Sequence, residues 1–314
     1  MTLPRNVLAA VVALVVGLAA FTAAPASGVT AFTVSGTRAL HDPPFPEQLL
    51  PGYFIGATIS RIDYPADVFG MDRSIAIAVQ GLDNGLRVTA ETVIQAGFSQ
   101  GALAVAYAKK ELMALPSDQR PAPDQLSFVT IGDPSGVGGI LKALPFRIPL
   151  IGLTPITAPD TPYDTVIVNG EYDGWADFPD RPLNLVSLAN ALLGIVYVHG
   201  RYETIPGGLD PSKVPPANIT TTVNSLGGST TTYLIPTEKL PLVQPLRDIG
   251  VSERIVAALE KPLKKAVDKG YRRNDHARND LAEPTLRAAP RQIRQPERRA
   301  AKQVRGRSPG RAVA

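Results

Sequence analysis

The sequence predicts an α/β fold built on a mostly parallel sheet flanked by helices, and three observations carry that expectation. Short, mostly apolar runs recur at Thr92 to Ala96, Leu126 to Ile131 and Thr165 to Val168, as strands buried on both faces require. Stretches of helical periodicity alternate with these runs, and glycines stand just beyond them at Gly97, Gly132 and Gly170. A chain of 314 residues, 44% hydrophobic and 19% charged, is long enough to bury such a core.

Taken in order, Val29 to Ser35 (VTAFTVS) is β-branched and ends in Gly36-Thr37, which suits a first strand and turn. The prolines of HDPPFPEQLLPGYF then predict an irregular excursion rather than a helix or a central strand. From Asp72 onward Ile75, Val79, Leu82 and Leu86 recur at helical spacing, with Gly85 near the end. The Thr92 strand leads into a helix over Gln100 to Leu115, whose Val105, Ala108, Leu112 and Leu115 share a face. A third amphipathic helix is expected at Leu183 to Leu193, and Ile219 to Val223 with Thr230 to Ile235 read as a hairpin around LGG. The run from Pro241 to Arg273 supplies a last helical region, and nothing repeats internally.

Both ends of the chain differ from this middle. The first 26 residues carry a positive charge at Arg5, an uncharged apolar stretch from Val7 to Phe21, and Ala24 and Ala26 in an A-x-A relation. They predict an export signal removed near Ala26, with an uncleaved membrane anchor as the other reading. There is no cysteine, so thiol catalysis and cysteine metal sites are excluded, and stability rests on core size rather than disulfides. From Tyr271 to Ala314 twelve Lys and Arg stand against four Asp and Glu, a surplus of eight in a chain of net charge +4. The expected organisation is a signal over residues 1–26, an α/β domain over 29–273, and a basic disordered tail over 274–314.

The chemical signal is GFSQG, residues 97 to 101, placed between a strand and a helix. A serine hydroxyl is a poor nucleophile until it is held beside a base, and G-x-S-x-G supplies a sharp turn that presents Ser99. Gly97 and Gly101 avoid side-chain clashes there, and the N–H of Gln100 at the start of the helix is a candidate oxyanion donor. Only three histidines exist: His41 precedes the turn, His276 lies in the tail, and His199 follows the serine near the end of an apolar run. Ser, acid, base in chain order therefore selects His199. Asp173, on the loop after the Thr165 strand, is the candidate acid, with Asp177 and Asp133 as rivals. Thr37, in the first-strand turn, is the second candidate oxyanion donor.

Several blocks together resemble the PE-PPE domain family of actinobacterial serine hydrolases, cutinase relatives within the α/β-hydrolase fold. The resemblance runs from about Ala31 to Arg273 and rests on SGT, GFSQG, GDPSGVGG, EYDGWADFP, NALLGIVYVHGRY, TTTYLIPTEKLPLVQPL and KGYRR. It implies a Ser, Asp, His triad that maps onto Ser99, Asp173 and His199. Arg38 stands where a further glycine is common in the family, and a signal sequence rather than a PE or PPE segment is expected ahead of the domain. The implied chemistry is hydrolysis of short to medium acyl esters, or transfer of acyl groups between glycolipids.

The leading expectation is a secreted or envelope-associated serine esterase or lipase. The alternatives are a cell-envelope acyltransferase with the same residues, and a non-catalytic envelope-binding protein whose basic tail makes the contacts. The loops and hairpin between Trp175 and Pro236 are expected to cover the site and offer apolar surface to an acyl chain. No cofactor, metal or nucleic acid is expected: no histidines are spaced as ligands, the Gly-rich stretches lack a phosphate-loop lysine, and the tail lacks interleaved aromatics.

Overall fold

The computed structural model describes residues 28–39, 42–50, 52–204 and 209–275. The expected export segment, His41, His276 and almost all of the basic tail lie outside these residues. Seven strands form one sheet in the order β2-β1-β3-β4-β5-β7-β6. They are β1 (Val29–Val34), β2 (Thr58–Arg61), β3 (Thr92–Phe98), β4 (Leu126–Ile131), β5 (Asp164–Gly170), β6 (Ile219–Val223) and β7 (Ser229–Ile235). All neighbours pair in parallel except β6 with β7.

The apolar strands are sandwiched, as their mostly apolar runs predict. Phe32, Val34, Val93, Leu126 and Phe128 pack on one side with the helices α2 (Met71–Val88) and α3 (Gln100–Ala114). Ala31, Ala96, Val129, Ile131 and Val168 face the other side, against Leu49, Phe54 and Tyr202. Chain order reverses at β1, which lies between β2 and β3, so the turns after β1 and β3 meet at a switch point where such sheets place their sites.

Three departures from the sequence reading have physical causes. The proline-rich excursion holds a one-turn helix, α1 (Pro46–Leu49), because Pro46 is tolerated in a first helical turn. It is followed by β2, an exposed edge strand whose TISR sequence has no apolar run to announce it. The hairpin is no cover over the site: β7 joins β5 in parallel register from Thr165 with Thr230 to Gly170 with Ile235, completing the sheet. Between β4 and β5 stands a short α4 (Ile140–Ala143) inside a long excursion.

The third helix, α5 (Leu185–Tyr197), buries its small and polar face. Ser187 donates to the carbonyl of Val267, and Asn190 accepts from the N–H of Leu242. Gly194 lies so near the carbonyl of Tyr172 that a Cβ would sit 1.9 Å from it. This close approach brings the end of α5 down onto the loop after β5. The closing helices, α6 (Gln244–Asp248) and α7 (Glu253–Asp268), pack beside α5 around Tyr172, Leu240, Val243, Val256, Val267 and Tyr271.

One core position works against stability. Lys109 on α3 is buried, donates to Thr165 Oγ1 at 2.8 Å and lies 4.5 Å from the centre of the Phe128 ring. Burial lowers its ammonium to about 8, with the Asp133 charge opposing the shift. Between that value and its ordinary 10.5 the unfolded chain binds a proton that the native state lacks, so native stability rises with pH across this window. Lys109→Met is expected to stabilise the protein by about 1–3 kcal/mol at pH 7. Urea unfolding at several pH values checks it: the advantage should shrink from pH 8 to 10.5, and a constant gap would rule out Lys109 as the titrating group.

Candidate active site

Ser99 sits at the junction of β3 and α3 with φ 54° and ψ −114°, outside the regions an L-residue prefers. Its N–H donates to Ile131 O, and its carbonyl accepts from the N–H groups of Ala102 and Leu103, so the turn is held at both ends. The flanking glycines are required by contact. A Cβ on Gly97 would lie 2.1 Å from the Gly101 carbonyl oxygen, and one on Gly101 would lie 2.4 Å from that of Val34. The first-strand turn is equally near, since a Cβ on Gly36 would meet Ser99 Cβ at 3.3 Å.

Three residues from distant parts of the chain meet at this turn. His199 Nε2 is 2.7 Å from Ser99 Oγ, and His199 Nδ1 is 2.7 Å from Asp173 Oδ2. A carboxylate only accepts, which assigns the Nδ1 proton to the Asp173 contact and leaves Nε2 to accept from the Ser99 hydroxyl. The imidazole is stacked on Phe98, with centroids 5.4 Å apart and planes 22° apart. Asp173 is fully buried, and its Oδ1 accepts from the N–H groups of Trp175 and Ala176 at 2.7 and 3.2 Å.

The rivals serve elsewhere. Asp177 accepts from the N–H of Tyr172 and from Arg273 Nη1, each at 2.7 Å, tying the loop after β5 to the end of the fold. Asp133 accepts from the N–H and hydroxyl of Ser135 at 2.8 and 2.6 Å, forming a local turn. Neither hydrogen-bonds His199.

Tyr202 is the residue that the sequence reading passed over. Its hydroxyl donates to Asp173 Oδ2 at 2.7 Å and accepts from the N–H of Gly170 at 2.6 Å. Burial and the Asp173 charge raise its phenol well above the usual range, so it remains a donor. The signal was present in VHGRY, where the tyrosine follows the histidine by three residues, across a kink at Arg201. Tyr202→Phe is expected to lower kcat about tenfold with KM unchanged, because a positioning bond is lost while the cavity is not altered. Steady-state kinetics on a dissolved ester test it, and a raised KM with normal kcat would place Tyr202 in substrate binding instead.

A cavity of about 330 Å³ opens beside Ser99 and His199. Its surface is mostly apolar, from residues that include Val68, Met71, Ile151, Leu153 and Trp175, and Thr37, Ser99 and Gln100 also line it. Of the region from Trp175 to Pro236, Trp175, His199, Gly200 and Glu203 line the cavity while β6 and β7 do not, and most of the apolar lining comes from segments before it, including the start of α2 and the excursion between β4 and β5. The Gln100 side chain is anchored by donating to Asp67 O at 2.8 Å, which fixes the first turn of α3. Among the described residues no cluster of His, Asp and Glu is placed to hold a metal ion.

Residues 52–272 match the PE-PPE domain. Over 251 residues the chain is 38% identical to diacyltrehalose acyltransferase Chp2 of Mycobacterium tuberculosis (strain ATCC 25618 / H37Rv), covering 71% of this chain and 68% of that protein. Over 271 residues it is 35% identical to esterase PE16 of the same organism, covering 80% of this chain and 50% of that one. The chain therefore spans between half and about two thirds of the length of these relatives. Among solved structures, a cutinase-like protein from Cryptococcus sp. aligns over 50% of this chain and 81% of its own, at 18% identity and a TM-score of 0.33. At that distance the likeness adds nothing to the topology described above. The family match and these identities show that this chain belongs to the PE-PPE domain family.

Proposed function

We propose that the protein is an exported or envelope-associated esterase that cleaves carboxylic esters of short to medium acyl chains through Ser99, His199 and Asp173. The observation that carries this reading is the unbroken relay from Ser99 Oγ to His199 to buried Asp173, with 2.7 Å at each step, beside an apolar cavity. Ser99 Oγ attacks the ester carbonyl carbon while His199 Nε2 takes the hydroxyl proton. The carbonyl oxygen becomes an oxyanion, held by the N–H groups of Gln100 and Thr37. As the C–O bond to the alcohol breaks, His199 returns that proton to the leaving oxygen, and the acyl group stays on Ser99. Water then attacks the acyl carbon, its proton passes through His199 to Ser99 Oγ, and the carboxylic acid departs. Asp173 orients the imidazole and stabilises its protonated form throughout.

A second reading, glycolipid acyl transfer, uses the same acyl-enzyme with a sugar hydroxyl in place of water, and a relative named as a diacyltrehalose acyltransferase favours it. Release of p-nitrophenol from p-nitrophenyl esters of graded length, with and without trehalose, tests both. Hydrolysis with an optimum at short or medium chains is expected. Acylated trehalose in place of free acid would favour transfer. Absence of turnover together with no labelling of Ser99 by a fluorophosphonate would overturn both.

A further inference from the structure

The excursion between β4 and β5 has a composition unlike the rest of the domain. Residues 134–159 contain Lys142 and Arg147 and no carboxylate, with apolar residues at high density. One side of the excursion is built into the protein. Ile140, Leu141 and Leu153 are buried, Ile148 and Leu153 form a short bridge, and the carbonyls of Ile151 and Gly152 accept from the N–H groups of Met71 and Asp72. Thr154 adds two bonds to the Asp72 carboxylate.

The other side is apolar and turned to water. Leu150 is 79% exposed and Phe146 61%, and Phe69, two residues before the Met71 whose N–H Ile151 accepts, is 69% exposed. Their chain neighbours Val68 and Ile151 line the cavity beside Ser99. Phe69 and Leu150 thus each stand one residue from the cavity lining, with their own side chains turned outward to water. Large exposed apolar side chains with the exposed cations Lys142 and Arg147 in the same excursion match the boundary of an anionic lipid layer. Arg147 is 58% exposed and its nearest carboxylate, Asp72, is 3.7 Å away and already bonded to Thr154.

We propose that Phe69, Phe146 and Leu150, with Lys142 and Arg147, dock the protein on an anionic lipid surface, so that an ester chain passes from the layer into the cavity without crossing water. The proposal rests on the esterase reading for its purpose but not for its physical test. A second set of exposed apolar side chains, Leu185, Leu192 and Val196 on α5, serves as the reference because none of them lines the cavity beside Ser99.

The chain has no cysteine, so a single Leu150→Cys or Leu185→Cys in the full chain takes one environment-sensitive fluorophore. On adding mixed phosphatidylcholine–phosphatidylglycerol vesicles, emission from position 150 should rise and shift to the blue while that from position 185 stays unchanged. Equal responses at the two positions, or none at position 150, overturn the proposal. A response as large with phosphatidylcholine alone removes Lys142 and Arg147 from it. In turnover, Phe69→Ser combined with Leu150→Ser should cut hydrolysis of a vesicle-embedded ester about tenfold or more and leave dissolved p-nitrophenyl butyrate unchanged. Unaltered vesicle turnover counts against docking. Lack of turnover on the dissolved ester by the unmodified protein counts against the esterase reading alone, since the fluorescence result stands without it.

Discussion

Ser99→Ala is expected to reduce ester turnover by about four to six orders of magnitude. Under the proposed esterase reading, alanine removes the hydroxyl that bonds the acyl carbon and leaves His199 and Asp173 paired beside the cavity. The fold should not register the change. Alanine keeps the Cβ, faces the same positive φ as serine, and leaves the backbone bonds of the turn in place, so unfolding free energy should move by less than about 0.5 kcal/mol. Release of p-nitrophenol beside urea unfolding reads both quantities. A folded alanine variant with a tenth of the original rate would mean that another group does the chemistry.

The second large effect is structural. Gly97→Ala places a methyl 2.1 Å from the Gly101 carbonyl oxygen and 2.6 Å from the N of Ala102, both of them backbone atoms in the first turn of α3. β3 cannot retreat, because it is paired on one side with β1 and on the other with β4. α3 cannot retreat either without leaving the core that holds Leu103, Ala104 and Val105. A loss of about 3 kcal/mol or more is expected, with the relay broken as well. Urea unfolding and fluorophosphonate labelling measure the two parts. Wild-type stability in this variant would show that the junction yields more readily than its contacts imply.

The elements that the sequence announced are those whose residues carry one clear period or one clear constraint. Leu126–Ile131 (LSFVTI) is mostly apolar because both its faces are buried, so its limits could be read directly. GFSQG and the scarcity of histidine led to Ser99 and His199, and the loop after TVIV led to Asp173. β2 left no trace because an edge strand packs on one side only and TISR is largely exposed. The cavity wall was misplaced for a related reason. Val68 and Ile151 lie in proline- and glycine-punctuated segments without periodicity, and only the folded chain brings them together over Ser99. Tyr202 was passed over although it stands in VHGRY, because its partner is 29 residues away and a buried tyrosine looks in sequence like any other aromatic core residue.

The positive φ of Ser99 also bears on how this protein should be engineered. Glycine is the residue that adopts φ 54° without penalty, so Ser99→Gly relieves roughly 1–2 kcal/mol of backbone strain while removing the hydroxyl. A library sorted for thermal resistance, protease survival or yield would therefore enrich variants that have shed the serine. Selection of improved forms has to be made on product formed, with robustness measured only among the survivors.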